Sequence, residues 1–192
     1  MDHQIIKKLR EISGAGIVNC QKALKESQGN LDKALEILRK KGQKLAQSKG
    51  SRSTNQGLIE PYIHIDGKIG VLVEVVCETD FVAKNEEFKE LAHDLAMQVA
   101  ATNPKWVSSE DIPAETRDNE KEIYSHNIDK AKPVEMRNKI INGKLKKFYA
   151  EVCLLSQPFI KDDKIVIQEL IQNKIAKLGE NIQVKRFIRF SL

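Results

Sequence analysis

Between Lys68 and Glu78 the chain reads KIGVLVEVVCE, with Ile69, Val71, Val73, Val75 and Cys77 alternating onto one face and Leu72 and Val76 onto the other. A period of two specifies a strand, and apolar residues on both faces indicate a sheet with helices packed on it. Just upstream, residues 57–65 form a second β-rich run, and Asp66-Gly67 between the two tolerates the positive φ of a tight hairpin turn. Pro61 removes one ladder donor, so the first strand lies at an edge or bends there. Near the C-terminus, Ile182, Val184, Ile188 and Phe190 alternate with Gln183, Lys185 and Arg189 and predict a third strand.

The rest of the chain has helical spacing. Residues 2–41 read as three short helices. The first has Asp2 as N-cap and Ile5, Leu9 and Ile12 in its stripe, and Gly14 and Gly16 end it. The second puts Ile17, Cys20 and Leu24 on one stripe. The third is capped by Asn30, carries Leu31, Ala34, Leu35 and Leu38, and is predicted to end at Gly42. Ile17 and Val18 point about 100° apart on their helix, so a core of this size is expected to leave one of them exposed. Residues 43–56 have few large apolar side chains and read as a linker. Beyond the hairpin, Asn85 opens an amphipathic helix with Phe88, Leu91, Ala92, Leu95 and Val99, ending near Thr102-Asn103-Pro104. A mostly charged surface helix is expected within residues 113–131, with Tyr124 and Ile128 as its thin apolar face. Another follows Pro133 and is predicted to break at Gly143. A last one, capped by Asp162-Asp163, carries Ile167, Leu170, Ile171 and Leu178 and stops at Gly179. Three strands with at least four helices give an α+β fold, with residues 1–45 as a helical domain, 46–56 as linker and 57–192 as the core.

At 192 residues, 41% apolar and 31% charged, the chain has a globular balance. Its net charge of +5 comes from interspersed residues, which permits nucleic-acid contact without arguing for it. Cys20, Cys77 and Cys153 lack paired spacing, so neither a disulfide framework nor a zinc knuckle is expected, and a reducing cytoplasm is the simplest home. There is no apolar run of signal-peptide or membrane-spanning type. His3, His64, His93 and His126 sit in four different elements, none at metal-ligand spacing. No phosphate loop, dinucleotide fingerprint or nucleophile elbow is present, so no catalytic residue, metal or cofactor is expected. Ser13-Gly14-Ala15-Gly16 joins helix to helix and reads as a turn. Lys144, Lys146 and Lys147, with Lys185, Arg186 and Arg189, are the RNA-binding candidates, against a plainer reading as solvated faces.

One segment stands apart. In Thr79-Asp80-Phe81-Val82-Ala83-Lys84-Asn85 an aromatic ring follows a strand and then stands among charged neighbours. Such a ring carries roughly 150 to 250 Å² of buriable surface. It is either a plug folded under the next helix or a wedge aimed at a partner. The following helix already has its own stripe in Phe88, Leu91, Leu95 and Val99 and does not need Phe81 to complete it.

These residues resemble the elongation factor Ts family in a short form, over essentially the whole chain. The matching blocks are Leu9-Arg10-Glu11, Gly14-Ala15-Gly16, Cys20-Gln21-Lys22-Ala23-Leu24, Leu38-Arg39-Lys40-Lys41-Gly42 and Cys77-Glu78-Thr79-Asp80-Phe81-Val82-Ala83-Lys84-Asn85. They continue with His93-Asp94-Leu95-Ala96-Met97-Gln98, Gln157-Pro158-Phe159, and Gly179-Glu180-Asn181-Ile182 running into Arg186-Phe187-Ile188-Arg189-Phe190.

The resemblance implies a ubiquitin-associated-like three-helix N-terminal domain and a core on a small antiparallel sheet. It also implies a guanine-nucleotide exchange factor for elongation factor Tu, with no bond-making chemistry of its own. Thr79, Asp80, Phe81 and Val82 would enter the partner's GTPase domain near its magnesium. Leu9, Ile17 and Val18 would contact that domain from the N-terminal helices, with His93 as a second-tier contact. Ile17-Val18 stands where the family often has a Met pair, and Val76 where Asn often precedes the Cys. Short members are understood to act as homodimers, and neither a membrane nor a direct nucleic-acid role is implied.

Overall fold

In a computed structural model the structure describes residues 3–129 and 133–192; Asp2, read as an N-cap, and residues 130–132 lie outside the described residues. The helices are α1 (His3–Ser13), α2 (Ile17–Glu26), α3 (Leu31–Lys49), the four-residue α4 (Asp80–Ala83), α5 (Glu86–Thr102), α6 (Ala114–His126), α7 (Val134–Val152) and α8 (Ile167–Leu178). The strands are β1 (Gln56–Ile63), β2 (Ile69–Cys77), β3 (Pro158–Phe159), β4 (Asp162–Val166) and β5 (Ile182–Ser191). The fold is α+β: N-terminal helices, then a three-stranded antiparallel sheet of order β1-β2-β5 packed with helices. The edge place of β1 agrees with Pro61, whose missing N–H costs no ladder bond there.

Tertiary contacts divide the chain into two compact units. The first comprises residues 1–59, 74–92 and 169–183. It holds the N-terminal helices, whose stripes meet in a cluster of Ile6, Leu9, Cys20, Ala23, Leu24 and Ala34. Asn30 caps α3 by accepting from the Lys33 amide at 3.0 Å. In the same unit Val75, Cys77, Phe88, Leu91, Ala92, Ile171 and Ile175 are buried. Gly57 is required where it stands: its φ is +152°, and a Cβ there would fall 2.2 Å from the Val75 carbonyl oxygen.

The second unit, residues 60–73, 93–168 and 184–192, buries Val71, Val73, Leu95, Ala96, Val99, Ile112, Leu145, Cys153, Leu154, Phe159 and Ile167. The hairpin turn forms as its residues predict. Gly67 adopts φ +68° and donates to the His64 carbonyl at 2.8 Å, and Asp66 Oδ1 accepts from the Lys68 amide at 3.0 Å.

Four element readings need correction. Gly42 does not end α3. It is buried inside the helix, where an added Cβ would meet the Ala176 Cβ of α8 at 3.4 Å, so the glycine marks a close approach of two helices. The helix runs on to Lys49 through residues whose composition suggested a linker. Gly143 does not break α7, because a single glycine lowers helix stability by only about 1 kcal/mol and the flanking stripe outweighs it. Asp162 and Asp163 do not cap α8 but open β4, which pairs antiparallel with β3 in a small hairpin too short to leave a periodic signal. Leu72, placed on a covered face, is exposed, whereas Val76 on the same face is buried.

Candidate functional site

The TDFV segment is a strand end turned into one helical turn. Thr79 is extended, with φ −125° and ψ 156°, and its hydroxyl oxygen accepts from the Val82 amide at 3.4 Å, capping α4. Asn85 then accepts the Glu87 amide on Oδ1 at 2.8 Å and starts α5. Between these two capping residues Phe81 is 82% exposed. No residue of α4 is buried. The plug reading is therefore excluded; the ring points to solvent.

Polar bonds hold this turn in place of apolar burial. Thr79 donates to the Glu180 carboxylate twice, from its amide to Oε2 at 3.0 Å and from its hydroxyl to Oε1 at 2.6 Å. In return the Asn181 amide donates to Glu78 Oε1 at 2.7 Å, and Arg52 lies 3.4 Å from Glu78 Oε2. The bond from Asn181 holds the Glu78 carboxyl below the usual glutamate range despite partial desolvation. Asn181 Nδ2 is anchored on the carbonyls of Gly50 and Arg52, at 3.3 and 3.0 Å. Asp80 pairs with Lys84 at 2.7 Å, and this bond lowers its pKa and keeps it ionised. The Cys77 thiol donates to the Thr79 carbonyl at 3.2 Å, while burial, reinforced by the Glu180 charge, pushes it up to about 11.

The N-terminal residues divide differently from the sequence expectation. Ile17 and Val18 open α2 and are 51% and 57% exposed, so both stand out of the core where only one was expected to. With Ile12 beside them in sequence at the end of α1, also exposed, they give this part of the three-helix segment an apolar surface. Leu9, unlike Ile17 and Val18, is fully buried in the helix cluster, where its side chain holds α1 against α2 and α3. The Gly14-to-Gly16 stretch is a turn between helices. Gly14, at φ +64°, donates to the Arg10 carbonyl at 2.8 Å, and Ser13 Oγ accepts from the Ala15 amide at 3.2 Å.

Leu9, Ile17, Val18 and Thr79 through Val82 all belong to the first unit, and His93 belongs to the second. His93 is half exposed on α5. Its Nδ1 lies 2.9 Å from Glu60 Oε1, and its ring stands edge-on to Tyr62 with centroids 5.8 Å apart. Of the cationic candidates, Lys144 lies over the Tyr124 ring at 5.4 Å and Arg189 Nε donates to the Ala100 carbonyl at 3.2 Å, so both have internal partners. Sequence reasoning missed Glu78, Glu180 and Asn181 as supports of the turn. Nothing in the spacing links Thr79 to a carboxylate 101 residues away.

Among the described residues no group of three or more His, Cys, Asp or Glu side chains could hold a metal ion, and no helix is long and apolar enough to cross a membrane. Fold and site together describe an α+β protein that offers exposed apolar groups on ordered polar supports. The chain matches the family Elongation factor TS over residues 4–192. It is 54% identical over 189 residues to elongation factor Ts of Thermodesulfovibrio yellowstonii, covering 98% of this chain and 94% of the relative. It is 53% identical over 188 residues to that of Thermotoga maritima, covering 98% and 94%. With the protein of that name from Carboxydothermus hydrogenoformans it shares 50% over 190 residues, covering 98% and 88%. The chain belongs to the elongation factor Ts family, the translation elongation factors so named.

Proposed function

We propose that this chain is a guanine-nucleotide exchange factor acting on the GTPase elongation factor Tu in the cytoplasm, and that Phe81 is its wedge. The observation that carries the reading is a ring 82% exposed at the tip of a turn fixed on both sides by capping residues. Burying that ring in a partner supplies roughly 25 cal/mol per Å² of apolar area removed from water. Spent at the partner's magnesium and phosphate site, that free energy disturbs the groups holding GDP. Asp80 adds a carboxylate beside the ring, ionised through its bond to Lys84. Thr79 and Val82 frame the turn. Ile17 and Val18 give a second apolar contact to the same GTPase domain, and His93 a further polar one. Binding free energies are reciprocal, so whatever loosens nucleotide lets nucleotide loosen the factor, and GTP in excess drives the cycle forward. No bond is made or broken in this chain.

Residues 1–45, 46–56 and 57–192 remain our functional division: a contact domain, a connection and a core that carries the wedge. The core also supplies a surface for a second copy. In the second unit Ile63, Leu72, Ile188 and Phe190 are exposed. Val71 and Val73 on either side of Leu72 are buried, and Arg189 between Ile188 and Phe190 bonds to Ala100 of α5, so these four side chains lie on the side of the sheet away from that helix. A self-complementary apolar face of this kind suits an isologous dimer.

The test is release of fluorescent GDP from elongation factor Tu. The wild-type chain accelerates release and Phe81→Ala does not, with the circular dichroism of the two alike. Equal acceleration by both would overturn the wedge. Light scattering on Phe190→Lys then reads the dimer, which this charge converts to monomer.

A further inference from the structure

Phe81 is presented by a single turn with few local bonds, from the Ala83 amide to the Thr79 carbonyl at 3.2 Å, from the Lys84 amide to the Asp80 carbonyl at 3.1 Å and between the Asp80 and Lys84 side chains. A single helical turn is unfavourable in isolation because several dihedrals are fixed for one hydrogen bond. Burial compensates only in part, since no residue of α4 is fully buried and Val82 and Ala83 are half-buried. Its hydroxyl cap, the Thr79-to-Val82 bond at 3.4 Å, is long.

What makes that cap one-directional lies in another part of the chain. A hydroxyl has one proton and two lone pairs. Thr79 gives its proton to Glu180 Oε1 at 2.6 Å, which leaves lone pairs facing the Val82 amide. The second carboxylate oxygen takes the Thr79 amide at 3.0 Å. An ionised carboxylate is acceptor-only and supplies both oxygens at once, which no neutral side chain of this length does. Glu180 is delivered to this point by the end of α8. Gly179 takes φ +78°, donates to the Ile175 carbonyl at 2.9 Å, and receives the Lys49 ammonium on its own carbonyl. The reciprocal bond from the Asn181 amide to Glu78 Oε1, at 2.7 Å, ties the residues on the other side of each partner. Two adjacent carboxylates, Glu78 and Glu180, thus exchange bonds with two adjacent segments, and the junction of α8 with β5 clamps the junction of β2 with α4.

We propose that Glu180 is a positioning residue for nucleotide exchange: through Thr79 it keeps α4 in the one conformation that aims Phe81, without touching the partner itself. The proposal rests on the exchange reading above. If removal of the clamp leaves about one tenth of molecules with α4 in that conformation, apparent affinity for the partner GTPase falls about tenfold. The maximal exchange rate stays close to wild type, since the assembled wedge is unchanged.

The experiment uses the full chain with Glu180→Ala, Glu180→Gln, Thr79→Val and the Thr79→Val/Glu180→Ala double variant. Amide order parameters of residues 80–83 are measured beside exchange titrations at increasing factor concentration. In Glu180→Ala the order parameters of the turn drop from roughly 0.85 to below about 0.6 while those of α5 stay rigid. The half-saturating concentration rises roughly tenfold. Glu180→Gln keeps one acceptor and falls between, and it carries the test if the alanine variant fails to fold. The double variant is no worse than the worse single variant, because the two residues act as one unit. A rigid turn in Glu180→Ala, an unchanged half-saturating concentration, or additive losses in the double variant would each overturn the clamp. Phe81→Ala run alongside separates the two ideas. Wild-type acceleration of GDP release by that variant removes the wedge reading, and the order parameters then decide the clamp alone.

Discussion

Gln98 of α5 and Gln157 ahead of β3 join inside the second unit, with Gln98 Nε2 3.2 Å from Gln157 Oε1 and both side chains buried. The same Nε2 donates to the Pro158 carbonyl at 3.1 Å, and Gln98 Oε1 accepts from the Ile160 amide at 2.9 Å. One amide therefore satisfies two backbone groups along β3 and its exit, in a hairpin too short to stabilise itself.

Gln98→Leu is close in volume and would suit an apolar core, yet it leaves the Pro158 carbonyl and the Ile160 amide without partners. Each such loss costs about 1 to 3 kcal/mol. Urea unfolding should show the variant at least about 2 kcal/mol less stable than wild type; a loss below half of that would mean water or a shifted backbone replaces the bonds.

Leu9 and the Ile17-Val18 pair lie close in sequence and should respond in opposite ways. Leu9→Ala opens a cavity in the three-helix cluster and costs about 2 to 5 kcal/mol in thermal or urea unfolding. Ile17→Ser with Val18→Ser alters exposed side chains, so stability shifts by no more than about 0.5 kcal/mol for each substitution. Association with elongation factor Tu, followed by calorimetry, weakens in the serine pair. Unchanged affinity there would remove the N-terminal contact from the proposed function.

Acid sensitivity should map to Glu87. Its hydrogen bond to Lys177, at 2.5 Å, with Lys174 also near at 3.4 Å, holds its pKa below the ordinary 4.5. A carboxylate depressed in the folded state stabilises fully above its unfolded pKa, and the contribution is lost as pH falls through the folded value. Urea midpoints should thus decline as pH drops below 4.5, and Glu87→Gln should flatten that decline while lowering the midpoint near neutrality. A variant with the wild-type slope would place the acid sensitivity elsewhere.

The thiols should be inert in the native state. Cys77 and Cys153 are buried, and burial pushes each up to about 11, so the thiolate is scarce at neutral pH. Ellman's reagent at pH 8 should titrate all three cysteines in guanidinium and react slowly, at a rate set by opening, in buffer. Fast native reaction at Cys77 would mean that the segment from β2 to α4 opens readily.

Local order was legible wherever one residue's chemistry decides it. The alternation of β2, the Asp66-Gly67 turn, the edge strand marked by Pro61, the Asn30 cap and the stop at Gly179 all follow from short-range rules and appear where they were read. The candidate segment was legible too, as an aromatic surrounded by charges after a strand, while whether the ring is covered or open was left to the fold. Gly42 and Gly143 were misread because glycine has two uses, freedom of φ and absence of a Cβ. Only the neighbour shows which one applies: Ala176 for Gly42, and open space for Gly143.

The sequence by itself determined the α+β class, the main helices and the three strands of the central sheet, the family and the segment that carries Phe81, since periodicity, caps and motif blocks act over a few residues. Tertiary structure alone decided that Leu9 is core while Ile17 and Val18 are surface, that β3 and β4 pair, and that Glu180 holds Thr79. The reason is physical. Helical spacing states which residues share a stripe but not how wide the covering surface is, and a hydrogen bond across 101 residues leaves no periodic trace. The chain encodes the Phe81 turn locally, and the carboxylate that binds Thr79 is one that only folding brings to it.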